Sequence, residues 1–276
     1  MITLILVLSI FIVSYFGYWS ARGVGSYYNE IPMMISHRGV TKTFPENTVE
    51  AYNDSISVGY GGIELDVLSS LDGVIYCSHN HELEKETNAN GYIHQMTSVE
   101  LDNIKTGTYS HPGNQKKIPR LDDVINNLPK KIRLNIEVKF SNPFDFSTIF
   151  LLRKKIRKNE IKQPVLISSF NPFIVFYARW FIANVKTGYL IESLNMIKWM
   201  HLAHPDCLHP RADLLSKNLI DDCNRKNISI NVWTVNSDAA IKHCKQMGVG
   251  GIISDRNNIY PKQMITPYNT LAETKK

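Results

Sequence analysis

The segment Ile63-Glu64-Leu65-Asp66-Val67 alternates apolar and acidic residues, which is the pattern of a β-strand. Because successive side chains of a strand point to opposite faces, Glu64 and Asp66 point the same way. Residues 134–138 repeat the pattern and predict a second strand with a carboxylate on one face. The two segments therefore predict a sheet that brings acidic side chains together.

Short apolar runs typical of strands recur along the chain and alternate with helical segments. The strand segments are 33–36, 63–67, 134–138, 165–168, 185–191, 207–209, 228–233 and 251–254. The clearest helical segments are 145–158, 172–182, 193–202, 212–225 and 237–246. Alternating strands and helices indicate parallel βαβ units, and this number of units fits a (β/α)₈ TIM barrel, whose usual size is about 250 residues. A doubly wound open sheet is the rival fold, but no Gly-x-Gly-x-x-Gly turn follows the first strand.

One connection is unusually long, since roughly 65 residues separate the second and third strands. It begins with Asp72-Gly73, a strong hairpin signal, so we expect residues 74–78 to pair back against the second strand. Its histidines are His79, His81, His94 and His111. Long excursions in compact domains are usually functional or disordered, and we interpret this one as an active-site insertion over the barrel mouth.

The first 21 residues differ in composition from the rest of the chain. Residues 2–21 are uncharged and mostly apolar, and as one helix they would span the ~30 Å hydrocarbon core of a bilayer. We therefore predict a transmembrane anchor at residues 1–21, which would place the chain in a membrane as a single-pass protein. A cleaved signal peptide, and hence secretion, is the alternative, although no Lys or Arg precedes the apolar run. A linker at 22–31, the barrel at 32–265 and a polar tail at 266–276 complete the predicted organisation.

The overall composition is that of a globular protein and excludes several classes. Of the 276 residues, 43% are apolar and 20% are charged, which argues against disorder and coiled coils. The net charge of +6 favours anionic partners but is too small to indicate nucleic acid, and we expect no nucleic-acid partner. The four cysteines are widely spaced, so a zinc knuckle or a dense disulfide framework is not expected. The oligomeric state stays open.

The acidic side chains of the two strands have a common place in the predicted barrel. Polar groups that point inward at the carboxyl ends of barrel strands lie at the catalytic face. Glu64, Asp66 and Glu137 would converge there, with Lys139 on the same face of its strand as Glu137. Carboxylates this close repel one another unless positive charge lies between them. A hard divalent cation, Mg²⁺ or Ca²⁺, meets that need, and pairing of each carboxylate with a nearby Arg or Lys is the alternative.

Two histidines end strand segments close to these carboxylates. His37 ends the first strand, and His79 ends the hairpin arm that follows the second. Histidine can both give and take a proton near neutral pH, which suits acid–base catalysis. Arg38 offers a planar fork that suits a phosphate group. Metal ligands, an acid, a base and a phosphate clamp together indicate hydrolysis of a phosphate ester.

In their order and spacing these motifs resemble the glycerophosphodiester phosphodiesterase family. The motifs are His37-Arg38-Gly39, Pro45-Glu46-Asn47-Thr48, Glu64-Leu65-Asp66-Val67, Asp72-Gly73, Ser78-His79, Glu137-Val138-Lys139, Ser168-Ser169-Phe170 and Trp233-Thr234-Val235-Asn236. The resemblance covers residues 34–255, almost all of the chain after the predicted linker.

The resemblance implies a metal-dependent barrel that cleaves glycerophosphodiesters to glycerol 3-phosphate and an alcohol. It implies that His37 and His79 are the catalytic acid–base pair and that the metal ligands are Glu64, Asp66 and Glu137. It also implies four substrate-binding residues: Arg38 and Lys139 at the phosphate, Glu46 as a support for Arg38 or the metal shell, and Trp233 as a pocket wall. Asn80 departs from the family, which usually has Asp after the second histidine.

Two other functions stay open at this point. Lysophospholipase D-like hydrolysis would apply the same chemistry to a lipid that keeps its acyl chain, and an N-terminal anchor would hold the barrel mouth near such lipids. A catalytically silent barrel that only binds phosphodiesters is the second alternative. Between the two histidines we favour His79 as the acid, because the insertion that carries it could close over the leaving group.

Overall fold

The computed structural model describes residues 2–259, and its main feature is a closed barrel of parallel strands. The strands are β1 (Met33–His37), β2 (Gly62–Ser69), β3 (Ile75–Cys77), β4 (Lys105–Thr106), β5 (Lys116–Lys117), β6 (Arg133–Val138), β7 (Val165–Ser169), β8 (Lys186–Ile191), β9 (Cys207–Pro210), β10 (Ser229–Val232) and β11 (Gly251–Ser254). Around the barrel the order is β1, β2, β6, β7, β8, β9, β10 and β11, and β11 pairs with β1 to close it. The predicted TIM barrel is therefore confirmed.

Most of the helices cover the outside of the barrel. They are α1 (Ile2–Gly17), α2 (Val49–Ser57), α3 (Ser98–Leu101), α4 (Leu121–Asn127), α5 (Ser147–Arg157), α6 (Pro172–Phe181), α7 (Met200–Ala203), α8 (Lys217–Arg225) and α9 (Asp238–Gln246). Helix α6 shows why they form: Asn171 accepts the Phe173 N–H as an N-cap, and Pro172 occupies the first turn. Its buried side chains, among them Ile174 and Ala178, face the barrel strands.

Strands β2 and β6 lie side by side and are almost entirely buried, as expected for a parallel sheet covered by helices. Their register places Glu64 beside Asn135 and Asp66 beside Glu137. The acidic residues of two separate strands are thereby brought to the same level of the barrel.

The long connection after β2 is an ordered insertion with a small core of its own. Strand β3 pairs antiparallel with the end of β2, as the hairpin signal at Asp72-Gly73 predicts. The core residues of the insertion are Leu68, Tyr76, Leu83, Ile93, Leu101 and Ile118. Because β3 runs back towards the barrel, Ser78 N–H donates to the Asp66 carbonyl at 3.1 Å. Because β3 returns to the barrel in this way, His79 lies beside the acidic residues.

The N-terminal helix is shorter than the predicted transmembrane anchor. Helix α1 ends at Gly17, and at about 1.5 Å per residue its 16 residues fall short of the ~30 Å core of a bilayer. Within residues 2–259 no helix is both long enough and apolar enough to cross a membrane. The predicted spanning helix over residues 2–21 is thus not supported, because Trp19 and Ala21 pack against the barrel instead of extending α1.

Residues 22–31, predicted as a linker, close the amino-terminal end of the barrel. Val24, Tyr27 and Tyr28 are buried in one cluster with Met33 and other residues of the barrel interior. The structure differs from the prediction because these aromatic rings fill the end of the barrel that the strands leave open. The predicted barrel end at residue 265 and the tail at 266–276 lie outside the described residues.

An ion pair holds this closing segment to the barrel. Asp206, directly before β9, is fully buried and accepts a hydrogen bond from Arg22 Nη2 at 2.6 Å. The guanidinium of Arg179 contacts the same carboxylate. Burial alone would raise the pKa of Asp206, but the two guanidinium groups hold it below its ordinary value. The carboxylate therefore stays charged inside the protein.

Replacing Asp206 by Ala should reduce the free energy of unfolding by about 3–5 kcal/mol, because it leaves two guanidinium groups without their buried partner. Urea denaturation followed by circular dichroism measures this change. The matched control is Asp221→Ala, which removes an exposed ion pair with Lys217 and should cost less than about 1 kcal/mol. Equal effects of the two substitutions would show that the pair with Arg22 does not hold the segment in place.

Candidate active site

Three buried carboxylates meet at the carboxyl ends of β2 and β6. Glu64, Asp66 and Glu137 are each at most 7% exposed, and one oxygen from each lies within 4.8 Å of the others. They were predicted from their strand positions, and the barrel brings all three together.

Two cations lie against this carboxylate cluster. Lys139 Nζ is 2.9 Å from Asp66 Oδ1 and also contacts Glu137, and Arg38 Nε is 3.1 Å from Asp66 Oδ2. Burial alone would raise the pKa of Asp66, but Lys139 and Arg38 hold it far below its ordinary value. Burial would lower the pKa of Lys139, but Asp66 and Glu137 raise it above its ordinary value. Asp66, Lys139 and Arg38 are consequently charged at neutral pH.

Glu64 is the carboxylate that these cations satisfy least. Its Oε2 accepts the backbone N–H of Arg38 at 3.0 Å, but its Oε1 is buried without a hydrogen-bond partner among the described residues. Burial, followed by the charges of Asp66 and Glu137, raises the pKa of Glu64 well above its ordinary value. Burial likewise raises the pKa of Glu137. Arg38 and Lys139 therefore compensate the charge of Asp66, but they do not supply enough positive charge for all three carboxylates.

A divalent cation fits the geometry of this cluster. Hard cations bind carboxylate oxygens at about 2.0–2.6 Å, so two ligands of one ion lie at most about 5 Å apart. The oxygens of Glu64, Asp66 and Glu137 meet that limit. Glu64 Oε1, which accepts no hydrogen bond from residues 2–259, supplies a free oxygen. These three residues could hold the ion.

A sharp turn after β1 aims Arg38 at the cluster. Arg38 has φ +55° and Gly39 φ +93°, so the chain reverses within two residues. A Cβ on Gly39 would lie 2.7 Å from the Cβ of Ala51 in α2, which leaves glycine as the residue that fits. Glu46 Oε2 accepts from Arg38 Nη1 at 3.1 Å and fixes the guanidinium from its outer side.

His37 lies at the end of β1 and is oriented by a carboxylate from the last strand's end. Its Nδ1–H donates to Asp255 Oδ1 at 2.6 Å, and Asn236 Nδ2 donates to the other oxygen of Asp255 at 2.9 Å. Burial would raise the pKa of Asp255, but the hydrogen bond from His37 lowers it below its ordinary value. The charged Asp255 thus fixes the orientation of the His37 ring, with Nε2 left free of this contact.

His79 lines the same cavity as His37 and has a different partner. Its Nδ1 is 3.2 Å from Asn80 Oδ1, a neutral acceptor. Burial and, next, the nearby charge of Lys139 lower the pKa of His79 to about 4. His79 is therefore neutral near pH 7, with Nδ1–H directed to Asn80 and the lone pair on Nε2.

These side chains border a cavity of about 240 Å³ at the barrel mouth. Phe170 and Trp233 line the same cavity and meet edge to face with ring centroids 5.6 Å apart. Leu190 and Glu192 are also part of the lining. The other three histidines of the insertion are not among the lining residues of this cavity. The rings of His81 and His94 meet edge to face with centroids 6.0 Å apart, and His111 contacts the Thr41 carbonyl.

Sequence reasoning missed the roles of Asn47 and Asp255. Asn47 belongs to the motif Pro45-Glu46-Asn47-Thr48 but was given no role in the site, whereas its Nδ2 donates to Asp66 Oδ2 at 2.9 Å and its Oδ1 accepts from the Asp66 backbone N–H at 3.1 Å. Asp255, directly after the last predicted strand, was given no role either. A polar residue at the end of the last strand was the one available signal, since strand ends of a barrel face one mouth.

Comparison with known proteins points to one family. The model of the glycerophosphoryl diester phosphodiesterase family matches residues 37–259. A glycerophosphodiester phosphodiesterase of Caldanaerobacter subterraneus subsp. tengcongensis is 28% identical over 81% of this chain and 93% of its own, and one of Bacillus altitudinis is 27% identical over 80% and 94%.

Solved structures show the same fold. A phosphodiesterase of Oleispira antarctica, in complex with the product sn-glycerol-3-phosphate, superposes with a TM-score of 0.74 at 23% identity, covering 81% of this chain and 93% of that one. A glycerophosphodiester phosphodiesterase of Thermotoga maritima superposes with a TM-score of 0.67 at 25% identity, covering 83% and 97%. The family match confirms the resemblance found in the motifs.

Replacing Asn47 by Gly should weaken binding of Mg²⁺ or Ca²⁺ by about 10–100-fold, because Asp66 loses the amide that orients it. Glycine is chosen because Asn47 has φ +57°, which glycine adopts without strain. Isothermal titration measures the affinity, and Asn53→Gly on the exposed face of α2 is the matched control. Wild-type affinity in Asn47→Gly would exclude a positioning role for this amide.

Proposed function

The chain belongs to the glycerophosphoryl diester phosphodiesterase family, and we propose that it hydrolyses glycerophosphodiesters to glycerol 3-phosphate and an alcohol with the help of a divalent cation. The observation that carries the proposal is the cluster of Glu64, Asp66 and Glu137, bordered by Arg38, Lys139 and two histidines in one cavity. The names of the relatives, which match over most of their length, support the same reaction. A silent binding barrel would not need this set.

Glu64, Asp66 and Glu137 would hold the cation, for which Mg²⁺ and Ca²⁺ are the candidates because both prefer oxygen ligands. When bound, such an ion supplies positive charge that stabilises the phosphoryl oxygens and activates an oxygen nucleophile. Arg38 and Lys139 border the same cavity and would donate hydrogen bonds to the phosphate. The aromatic wall of Phe170 and Trp233 leaves room for an organic substituent of the diester.

The surroundings of the two histidines favour different roles. His79 is neutral and has its lone pair on Nε2, which suits it to take a proton from the attacking oxygen. His37 donates its Nδ1–H to the Asp255 carboxylate, which orients the ring and leaves Nε2 to give a proton to the leaving alkoxide. This assignment reverses the preference drawn from the sequence, where the position of His79 in the insertion favoured it as the acid.

The position of the N-terminal helix bears on the lysophospholipase D alternative. Lys226, which precedes β10, donates to the Gly17 carbonyl, so α1 joins the barrel at the amino-terminal ends of the strands. The cavity lies at the opposite end. A helix placed there does not bring the barrel mouth to a lipid surface, and we therefore favour water-soluble diesters over lysophospholipids as substrates.

The proposal is tested by identifying products from glycerophosphocholine by ³¹P nuclear magnetic resonance, with and without a chelator. We expect glycerol 3-phosphate, and we expect its formation to stop in the chelator and resume when Mg²⁺ or Ca²⁺ is restored. Release of phosphocholine and glycerol, or full activity in the chelator, would contradict the proposed reaction or its need for a cation.

His37→Ala and His79→Ala should each lower kcat on glycerophosphocholine by about 10²–10⁴-fold, whereas His243→Ala on the exposed face of α9 should not. A nitrophenyl phosphodiester has a good leaving group that needs little protonation. It should therefore restore much of the rate of His37→Ala and little of the rate of His79→Ala.

Restored activity in His79→Ala alone would exchange the two roles. Restored activity in both variants, or in neither, would contradict a mechanism with one acid and one base, even if the chain proves to be a phosphodiesterase.

A further inference from the structure

Helix α1 exposes apolar side chains on every side that the structure describes. They are Leu6, Val7, Leu8, Ile10, Phe11, Ile12, Val13 and Phe16, with exposures between 44% and 65%. Exposed apolar patches larger than a few hundred Å² are uncommon on monomers and mark contact sites with proteins or membranes. The barrel fold uses none of these side chains, so they need another explanation.

The contacts of α1 fix where it leaves the barrel. Tyr15 Oη donates to the Leu202 carbonyl at 2.8 Å, and its ring stacks on His204 at 4.3 Å. Residues 202–204 lie in the connection that leads into the start of β9. Trp180, whose ring centroid is 6.5 Å from that of Tyr15, lies at the end of α6 and precedes β8. The helix is thus attached at the amino-terminal end of the strands, opposite the catalytic cavity.

Further exposed aromatic side chains continue from this attachment point. Trp180 and Phe181 at the end of α6 are 52% and 51% exposed, and Phe150 in α5 is 52% exposed. Tyr177 connects them, with ring centroids 5.1 Å from Phe181 and 5.0 Å from Phe150. Tryptophan and other aromatic rings are favoured at the headgroup level of a bilayer, where one side of the ring is apolar and the other is wet.

Basic side chains border the aromatic group. Arg153 Nε donates to the Phe181 carbonyl at 3.0 Å, and the same turn of α5 carries the exposed Lys154 and Arg157. Lys154 and Arg157 have no carboxylate within 4.0 Å among residues 2–259. Glu160, the nearest acidic residue along the chain, pairs with Lys155 and Lys158 instead.

We infer that these residues form a docking surface for an anionic lipid bilayer, which we name the basal face. It consists of α1, the aromatic side chains Phe150, Trp180 and Phe181, and the basic side chains Arg153, Lys154 and Arg157. Apolar side chains beside exposed cations match the two layers of a membrane surface, where acyl chains lie beneath anionic headgroups. A second copy docked through the same face would bring two basic groups together, and their charges would repel one another.

The basal face also gives the catalytic cavity an orientation. A chain docked through this face directs the barrel mouth into the water, so substrate arrives from the aqueous side. The arrival of substrate from the water rests on the proposed hydrolysis of soluble diesters, whereas the binding of the basal face to lipid is independent of that proposal. Failure of one is therefore distinguishable from failure of the other.

The test is sedimentation of the full chain with vesicles of phosphatidylcholine, alone or mixed with phosphatidylglycerol. We expect strong binding to the mixed vesicles that weakens as salt is added, because screening reduces attraction between charges. The double substitution Lys154→Glu with Arg157→Glu should weaken binding to mixed vesicles by at least about tenfold. Phe11→Glu should weaken binding to both kinds of vesicle, because it places a charge in the apolar part of the face.

The matched control reverses two exposed lysines at the other end of the molecule, Lys105→Glu with Lys117→Glu, and should bind as the wild type does. Thermal unfolding at an unchanged midpoint shows that each variant is folded. Equal binding to neutral and mixed vesicles, wild-type binding by the basic double variant, or a chain that dimerises and leaves vesicles unbound would each overturn the inference.

Discussion

Three buried carboxylates within 4.8 Å of one another are the constraint on which the catalytic end of this barrel depends. Charges of one sign at such distances repel strongly in a protein interior, so they persist only with nearby positive charge. Arg38 and Lys139 provide it for Asp66, and Asn47 adds a hydrogen bond. Glu64 keeps one oxygen that finds no donor in the part of the chain that the structure describes. Because the negative charge of the three carboxylates is only partly compensated by the protein, the cluster is suited to bind a cation in addition to its ion pairs.

The backbone delivers these groups through parallel strands, a short hairpin and a tight turn. Neighbouring strands bring Asp66 and Glu137 into register, and the antiparallel return of β3 sets His79 beside them. The left-handed backbone at Arg38 turns its N–H towards Glu64. Each side chain is thus positioned by an element whose own packing is independent of the substrate, as preorganised catalysis requires.

The strands, the hairpin and the carboxylates could be predicted from the sequence because they follow from local patterns, namely the alternation of apolar and polar residues and the residues of a tight turn. Glu64 and Asp66 share a face because side chains two positions apart on a strand point the same way, and Asp72-Gly73 predicts that β3 pairs back against β2. The contact of His37 with Asp255 joins residues 218 positions apart, and that of Arg22 with Asp206 joins residues 184 apart. No local pattern encodes either pair. The spanning helix predicted over residues 2–21 is not supported, because Trp19 and Ala21 pack against the barrel while α1 ends at Gly17, and hydropathy alone does not show this packing.

The carboxylate cluster holds more negative charge than Arg38 and Lys139 balance, and we propose that a cation supplies the difference. Glu64 and Glu137 have raised pKa values in the folded chain, so the folded state keeps protons that the unfolded state loses as pH rises. Without a cation, these two groups should therefore lower the free energy of unfolding as pH rises above the ordinary pKa of a glutamate, while Asp66, whose pKa is lowered, adds no slope there. His79, whose pKa is lowered, contributes the opposite slope below its own ordinary pKa, so the effect of the cluster is read between about pH 5 and pH 8 as the difference between the wild type and Glu64→Gln.

The most direct measurement is the free energy of unfolding across this pH range, with and without Mg²⁺ or Ca²⁺, in the wild type and in Glu64→Gln. We predict that the cation stabilises the wild type more at high pH than at low pH, since it binds the ionised carboxylates. We predict that, without the cation, Glu64→Gln gains stability relative to the wild type as pH rises, and that the cation stabilises this variant less. The same gain at both ends of the range, or the same behaviour in both proteins, would contradict the account.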